Sequence, residues 1–96
     1  MLELSNEYEV TDALKSLPLW VRENEKIQRE FSASDFASAI GFVNAVAILA
    51  EKLDHHPDIL IYGWNKVRIT LSTHSSGGLT ALDFNLAKRI EALNFF

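Results

Sequence analysis

Cysteine is absent from this chain, which excludes both a disulfide framework and a thiolate zinc site. Small secreted domains often need such staples, so the absence favours a cytoplasmic home. The N-terminal run Met1-Leu2-Glu3-Leu4-Ser5-Asn6-Glu7 lacks the basic start and apolar stretch of a signal peptide. No long hydrophobic run follows it. Ile40 to Ala50 is strongly apolar but too short to span a bilayer, and Asn44 interrupts it. Positive charge is scarce as well: 9 Lys and Arg stand against 13 Asp and Glu, for a net charge of −4. Those basic residues are scattered among acidic neighbours, whereas nucleic-acid binding relies on clustered cations that neutralise phosphates. The reading is a soluble protein with no membrane span and no direct nucleic-acid contact.

What remains is an ordinary globular composition, 48% hydrophobic over 96 residues, and it reads as a single domain, 1–96. A chain of this size buries only about 60–70% of the surface its unfolded form exposes. Its core is limited, and self-association is a natural supplement. Val10 to Leu17 reads as a short helix stopped by Pro18, after an unpatterned stretch over residues 1–8. Leu19–Arg22 and Lys26–Phe31 read as strands joined by a turn at Glu23-Asn24-Glu25, with Ile27, Arg29 and Phe31 alternating against Lys26, Gln28 and Glu30.

A long helix follows, with Ser32 as its N-cap, Asp35 at the third position and Phe31 with Phe36 as a hydrophobic staple. Its apolar residues from Phe36 to Leu53 cover roughly half the circumference, wider than one sheet face needs. The excess fits either a subunit contact or cover by the other helices. Gly41 lowers helix propensity by about 1 kcal/mol relative to Ala and marks a close backbone contact. Pro57 ends the helical region. Asp58–Tyr62 and Lys66–Thr73 form a second strand pair turned at Gly63, with Val67, Ile69 and Leu71 on one face and Arg68, Thr70, Ser72 and His74 on the other. After a Ser75-Ser76-Gly77-Gly78 loop, Thr80 caps a last helix through Leu93, with Asp83 at the capping-box position. The order α-β-β-α-β-β-α describes a two-layer α+β fold, one four-stranded antiparallel sheet with helices on one face.

Three histidines carry the chemistry. His55 and His56 stand together where the long helix stops at Pro57, and His74 closes an alternating strand. Imidazole has an unperturbed pKa of about 6.5, so such a cluster suits acid–base chemistry without metal or thiol. Taken singly, each is more often structural than catalytic. Glu51 precedes His55 by four residues and shares its helix face if the helix persists; Asp54 adjoins both rings. Either acid orients a ring or is a solvated surface group. The helix C-terminus favours a protonated imidazole nearby while another stays neutral. Zinc is disfavoured, because adjacent helical residues diverge by about 100° and the H-E-x-x-H spacing is absent. Ser72, Ser75 and Ser76 lie near His74, but no G-x-S-x-G elbow accompanies them. Trp20 and Trp64 either stack on a flat heteroaromatic ligand or belong to core and interface.

The run Glu51-Lys52-Leu53-Asp54-His55-His56-Pro57, then Trp64-Asn65-Lys66-Val67, Ile69 to His74, Gly78-Leu79-Thr80 and Asp83, resembles the pterin-4a-carbinolamine dehydratases. Upstream, Trp20, Phe31, Asp35-Phe36 and Gly41-Phe42 extend the resemblance over residues 17–94. One departure is visible: six residues separate Pro57 from Trp64, where mammalian members have five before a Tyr. The resemblance implies dehydration of 4a-hydroxytetrahydropterin to quinonoid dihydropterin, in support of pterin recycling for aromatic amino-acid hydroxylation. It implies His55 and His74 as the acid–base pair and His56 as a pterin contact. Glu51 and Asp54 would orient the imidazoles, and Trp20, Trp64, Pro57 and Asp83 would line the pocket. No cofactor and no metal are implied, since the pterin is itself the substrate. A homodimer or homotetramer is expected, with a functional link to an aromatic amino-acid hydroxylase. The alternative is a non-catalytic oligomeric binding module, because mammalian relatives act as dimerisation cofactors of a homeodomain transcription factor.

Overall fold

A computed structural model describes residues 2–96. Its elements are α1 (Glu7–Lys15), β1 (Val21–Glu23), β2 (Lys26–Ser32), α2 (Phe36–Leu53), β3 (Asp58–Tyr62), β4 (Lys66–Leu71), a 3-10 turn (His74–Ser76) and α3 (Ala81–Ala92). The strands form one antiparallel sheet in the order β1-β2-β4-β3. The expected α+β architecture stands.

Period-2 alternation decides which sheet face is dry. Ile27 and Phe31 of β2 and Val67, Ile69 and Leu71 of β4 point to the helices and are buried. The row Ala39, Phe42, Val46 and Ala50 of α2 and the row Phe84, Leu86, Ala87 and Ile90 of α3 complete the core. The opposite sheet face is exposed and mixed: Glu30 accepts from the Tyr62 hydroxyl at 2.7 Å and from Arg68 Nε at 2.8 Å, beside the exposed side chains of Val21 and Leu60. By length and composition alone α2 is apolar enough to cross a membrane, yet one side of it is built into this core.

Several boundaries differ from expectation, each for a local reason. α1 starts earlier than Val10, because Asn6 caps it and Glu9 returns the bond to the Asn6 backbone. Residues 6–8 are therefore ordered by that box. Ser32 does not cap α2; it pairs with Lys66 across the sheet. The cap is Asp35, whose side chain accepts the Ser38 N–H at 2.7 Å. Phe36 consequently sits at the first helical position and is exposed, so the expected staple with Phe31 does not form. Phe31 packs instead on Phe42, with ring centroids 4.6 Å apart. β1 begins at Val21, after Leu17 and Trp20 have turned into the core. β4 stops at Leu71, so His74 opens a 3-10 turn and does not end a strand. The close backbone contact expected at Gly41 is not seen: the one neighbour an added Cβ would meet is the tip of the Phe95 side chain, at 3.4 Å.

Candidate active site

The site begins at the C-terminus of α2. Asp54 adopts the left-handed conformation (φ 48°, ψ 45°), and the His55 N–H then returns to the Ala50 carbonyl at 3.1 Å. That reversal separates two adjacent imidazoles. His55 turns inward and is buried, whereas the His56 side chain stays exposed. The contribution of Asp54 is thus its backbone turn. Pro57 then starts the chain into β3.

The buried ring meets a buried carboxylate. His55 Nε2 lies 2.6 Å from Asp83 Oδ1, and Asp83 is wholly enclosed. Asp83 stands at the third position of α3, where its Oδ2 accepts the Thr80 N–H at 2.9 Å as half of a capping box. The same Oδ2 accepts the Thr73 hydroxyl at 2.8 Å, and the Thr73 and Thr80 hydroxyls are themselves 2.8 Å apart. A buried carboxyl group is tolerable only when it is hydrogen-bonded, and both oxygens of Asp83 have partners here.

Thr73 carries the construction to the third histidine, since His74 follows it directly. Thr73 bridges to Gly78 through N–H···O at 2.9 Å, closing a tight loop with His74 as its first member. Gly77, at φ 79°, supplies the left-handed residue that ends the 3-10 turn. Outer ties hold the loop. Ser76 Oγ donates to the Leu2 carbonyl at 2.6 Å, the Ser5 N–H to the Leu79 carbonyl at 2.8 Å, and Ser72 Oγ to the Glu25 carbonyl at 2.7 Å.

Other predicted residues are placed differently. Glu51 was expected to share a face with His55; it bonds His56 instead, Oε1 to Nε2 at 2.8 Å, because the chain leaves the helix at Asp54. Trp20 is buried, and its indole N–H donates to Glu91 Oε1 at 2.7 Å. Glu91 is also paired with Arg29. Eight residues of helix, about 12 Å, separate that cluster from Asp83. Trp64 occupies the β3–β4 turn at φ 59°, beside Gly63 at φ 55°. It is the far end of the hairpin from His55 and His74, about 17 Å away along a five-residue strand. The fold therefore gathers His55, Asp83 and Thr73-His74, keeps His56 with Glu51 alongside, and leaves both tryptophans elsewhere. Thr73 was missed by sequence reading, because a lone Thr at a strand end carries no local signal. Among the described residues, no three His, Asp or Glu side chains stand in a metal-holding group. A groove of about 320 Å³ between Arg29, Phe42, Glu91 and the C-terminal Phe95 and Phe96 lies away from the histidines.

The profile of the pterin 4 alpha carbinolamine dehydratases matches residues 3–93. The chain belongs to the pterin-4a-carbinolamine dehydratase family. A relative from Roseiflexus castenholzii, provisionally named a pterin-4-alpha-carbinolamine dehydratase, is 46% identical over 93 residues, covering 97% of this chain and 99% of the relative. One from Acidobacterium capsulatum with the same provisional name is 50% identical over 84 residues, 88% of this chain and 90% of that one. Among solved structures, the transcriptional coactivator/pterin dehydratase from Brucella melitensis superposes with a TM-score of 0.89 at 40% identity, covering 95% of this chain and 98% of that one. A pterin dehydratase-like protein described as a RuBisCO assembly factor in the alpha-carboxysome gives 0.61 at 27% identity, over 77% of this chain and 84% of that one. The dehydratase fold is thus common to family members with different named roles, and the side chains at the site must carry the functional reading.

Proposed function

We propose that this family member dehydrates 4a-hydroxytetrahydropterin to quinonoid dihydropterin by histidine general acid–base catalysis, as a cytoplasmic hydro-lyase in pterin recycling. The observation that carries the reading is the buried His55–Asp83 bond, with Asp83 also held by Thr73, the residue beside His74. Loss of water requires one proton delivered to the departing hydroxyl and one removed from a ring nitrogen. Two positioned imidazoles supply both transfers, and such help is typically worth about 10²–10⁴-fold. His55 and His74 are the acid–base pair, His56 contacts the pterin, and Asp83 orients His55. Glu51 holds His56, and the Asp54-Pro57 turn sets the two rings apart. The pterin is the reacting group, and no cofactor enters this scheme.

Turnover of freshly generated 4a-hydroxytetrahydropterin, followed by absorbance, tests the reading. Acceleration over the buffer blank that collapses in His74→Ala is the expected result. No acceleration by a protein shown to be folded would sink it.

A second reading, that the chain self-associates as a dimer or tetramer, rests on α2. Phe36, Ile40 and Ile48 are exposed along a helix whose other side is already in the core. Large exposed apolar patches mark contact surfaces. Sedimentation velocity is expected to return an oligomer, and a monomer at all concentrations would remove this reading. A hydroxylase partner belongs to the same proposal only through the shared pterin.

A further inference from the structure

The hydrogen bonds around Asp83 have a direction. Backbone N–H groups only donate, so Thr80 N–H must give its proton to Asp83 Oδ2, and Leu82 N–H must give its proton to Thr80 Oγ1 at 3.3 Å. The Thr80 hydroxyl, already an acceptor, has its own proton free for Thr73 Oγ1. Thr73 then has one proton left, and it points to Asp83 Oδ2 at 2.8 Å. A carboxylate accepts at both of its oxygens, and two donors already end on Oδ2. A charged Asp83 needs a donor at Oδ1, and His55 Nε2 is the group there.

The other ring nitrogen completes the picture. Among the described residues, no buried side-chain nitrogen or oxygen lacks a partner, and none of them bonds His55 Nδ1. Nδ1 is therefore the nitrogen that reaches solvent.

We propose that the Thr80–Thr73–Asp83 chain locks neutral His55 as its Nε2–H tautomer, making Nδ1 the ring atom offered to substrate, with Thr73 a positioning residue. The role of Nδ1 rests on the dehydratase reading; the lock itself does not. A proton accepted at Nδ1 creates an imidazolium whose Nε2–H still faces the Asp83 carboxylate. The charge thus forms beside its counter-charge, without any rotation of the ring.

The test is the tautomer of His55, read by long-range ¹H–¹⁵N correlation on ¹⁵N-histidine protein at a pH where the ring is neutral. Wild type is expected to show Nε2–H. In Asp83→Asn the two donors hold the amide oxygen at the Oδ2 position, so the amide NH₂ faces His55 and the ring becomes Nδ1–H. There kcat should fall about 10²–10⁴-fold with KM little changed. Thr73→Ser keeps the Nε2–H form and most of the rate. Thr73→Val added to Asp83→Asn should return part of the Nε2–H population, because one of the two donors is gone. Nδ1–H in the wild type, with the proton then on Asp83, overturns the proposal, as does an unchanged tautomer in Asp83→Asn. If the variants fail to fold, the wild-type spectrum alone decides. An Nε2–H ring in a folded protein without turnover would keep the lock and remove the dehydratase reading; an Nδ1–H ring in an active protein would do the reverse.

Discussion

His55 and Asp83, 28 positions apart in the chain, meet at 2.6 Å with the carboxylate fully enclosed, whereas His74 at the neighbouring loop stays exposed. Removing the two rings should therefore have different consequences. His55→Ala leaves a buried carboxylate one donor short and should cost about 1–3 kcal/mol of stability. His74→Ala should stay within about 0.5 kcal/mol of wild type. Both should lose the dehydration rate. Urea midpoints measured beside turnover separate the effects, and equal stability losses would contradict this account of the site.

Glu91 is expected to be a structural residue of the core edge. It accepts the indole N–H of buried Trp20 and pairs with Arg29. Glu91→Ala leaves both donors without that acceptor, and because the site is partly open to water the cost should be about 1–2 kcal/mol. The urea midpoint should drop with an unchanged slope, and Trp20 emission should shift to the red. Substrate KM should not move. A raised KM with intact stability would return Trp20 to the substrate pocket.

The cap of α2 predicts an acid-sensitive increment of stability. The Ser38 backbone N–H, and then its side chain, hold the Asp35 carboxyl below its ordinary value of 3.8. A folded-state value below the unfolded one means the stabilisation is fully present above about pH 3.8 and is lost as pH falls through the folded value. Asp35→Ala should be less stable than wild type at neutral pH, with the gap closing under acid. A gap that stays constant from about pH 6 to about pH 2.5 would show that the charge plays no part.

Trp64 combines an exposed side chain with a left-handed backbone at φ 59°. Non-glycine residues there cost about 1–2 kcal/mol, part of which Gly returns through unfolded-state entropy. Trp64→Gly should keep the thermal midpoint or raise it. Since the turn is about 17 Å from the histidines along the strand, KM should be unchanged. A midpoint lowered by several degrees would reveal a packing partner for this ring.

Much of the architecture was legible because its causes are local. The alternation through Val67, Ile69 and Leu71, the helical spacing of Ala39, Phe42, Val46 and Ala50, and the Thr80–Asp83 box each lie within a few residues. Less legible were positions where two local rules compete. Ser32 and Asp35 are both good N-caps, and the choice fell to Asp35 because Ser32 is drawn into pairing with Lys66, a residue 34 positions away. Asn6 and Glu9 held a readable capping box, obscured by the lack of an apolar pattern before Val10.

By itself the sequence determined the α+β order, the dry faces and the three histidines with their spacing, because periodicity and caps act over one or two turns of chain. Tertiary structure alone decided which acid serves which ring. The left-handed turn at Asp54 sends His55 inward to Asp83 and leaves His56 with Glu51, and it decided equally that Trp20 belongs to Glu91. The physical reason is that a buried carboxylate must find its donors wherever the packed chain brings them, and those donors come from a helix end, a strand end and a helix cap that no local pattern connects.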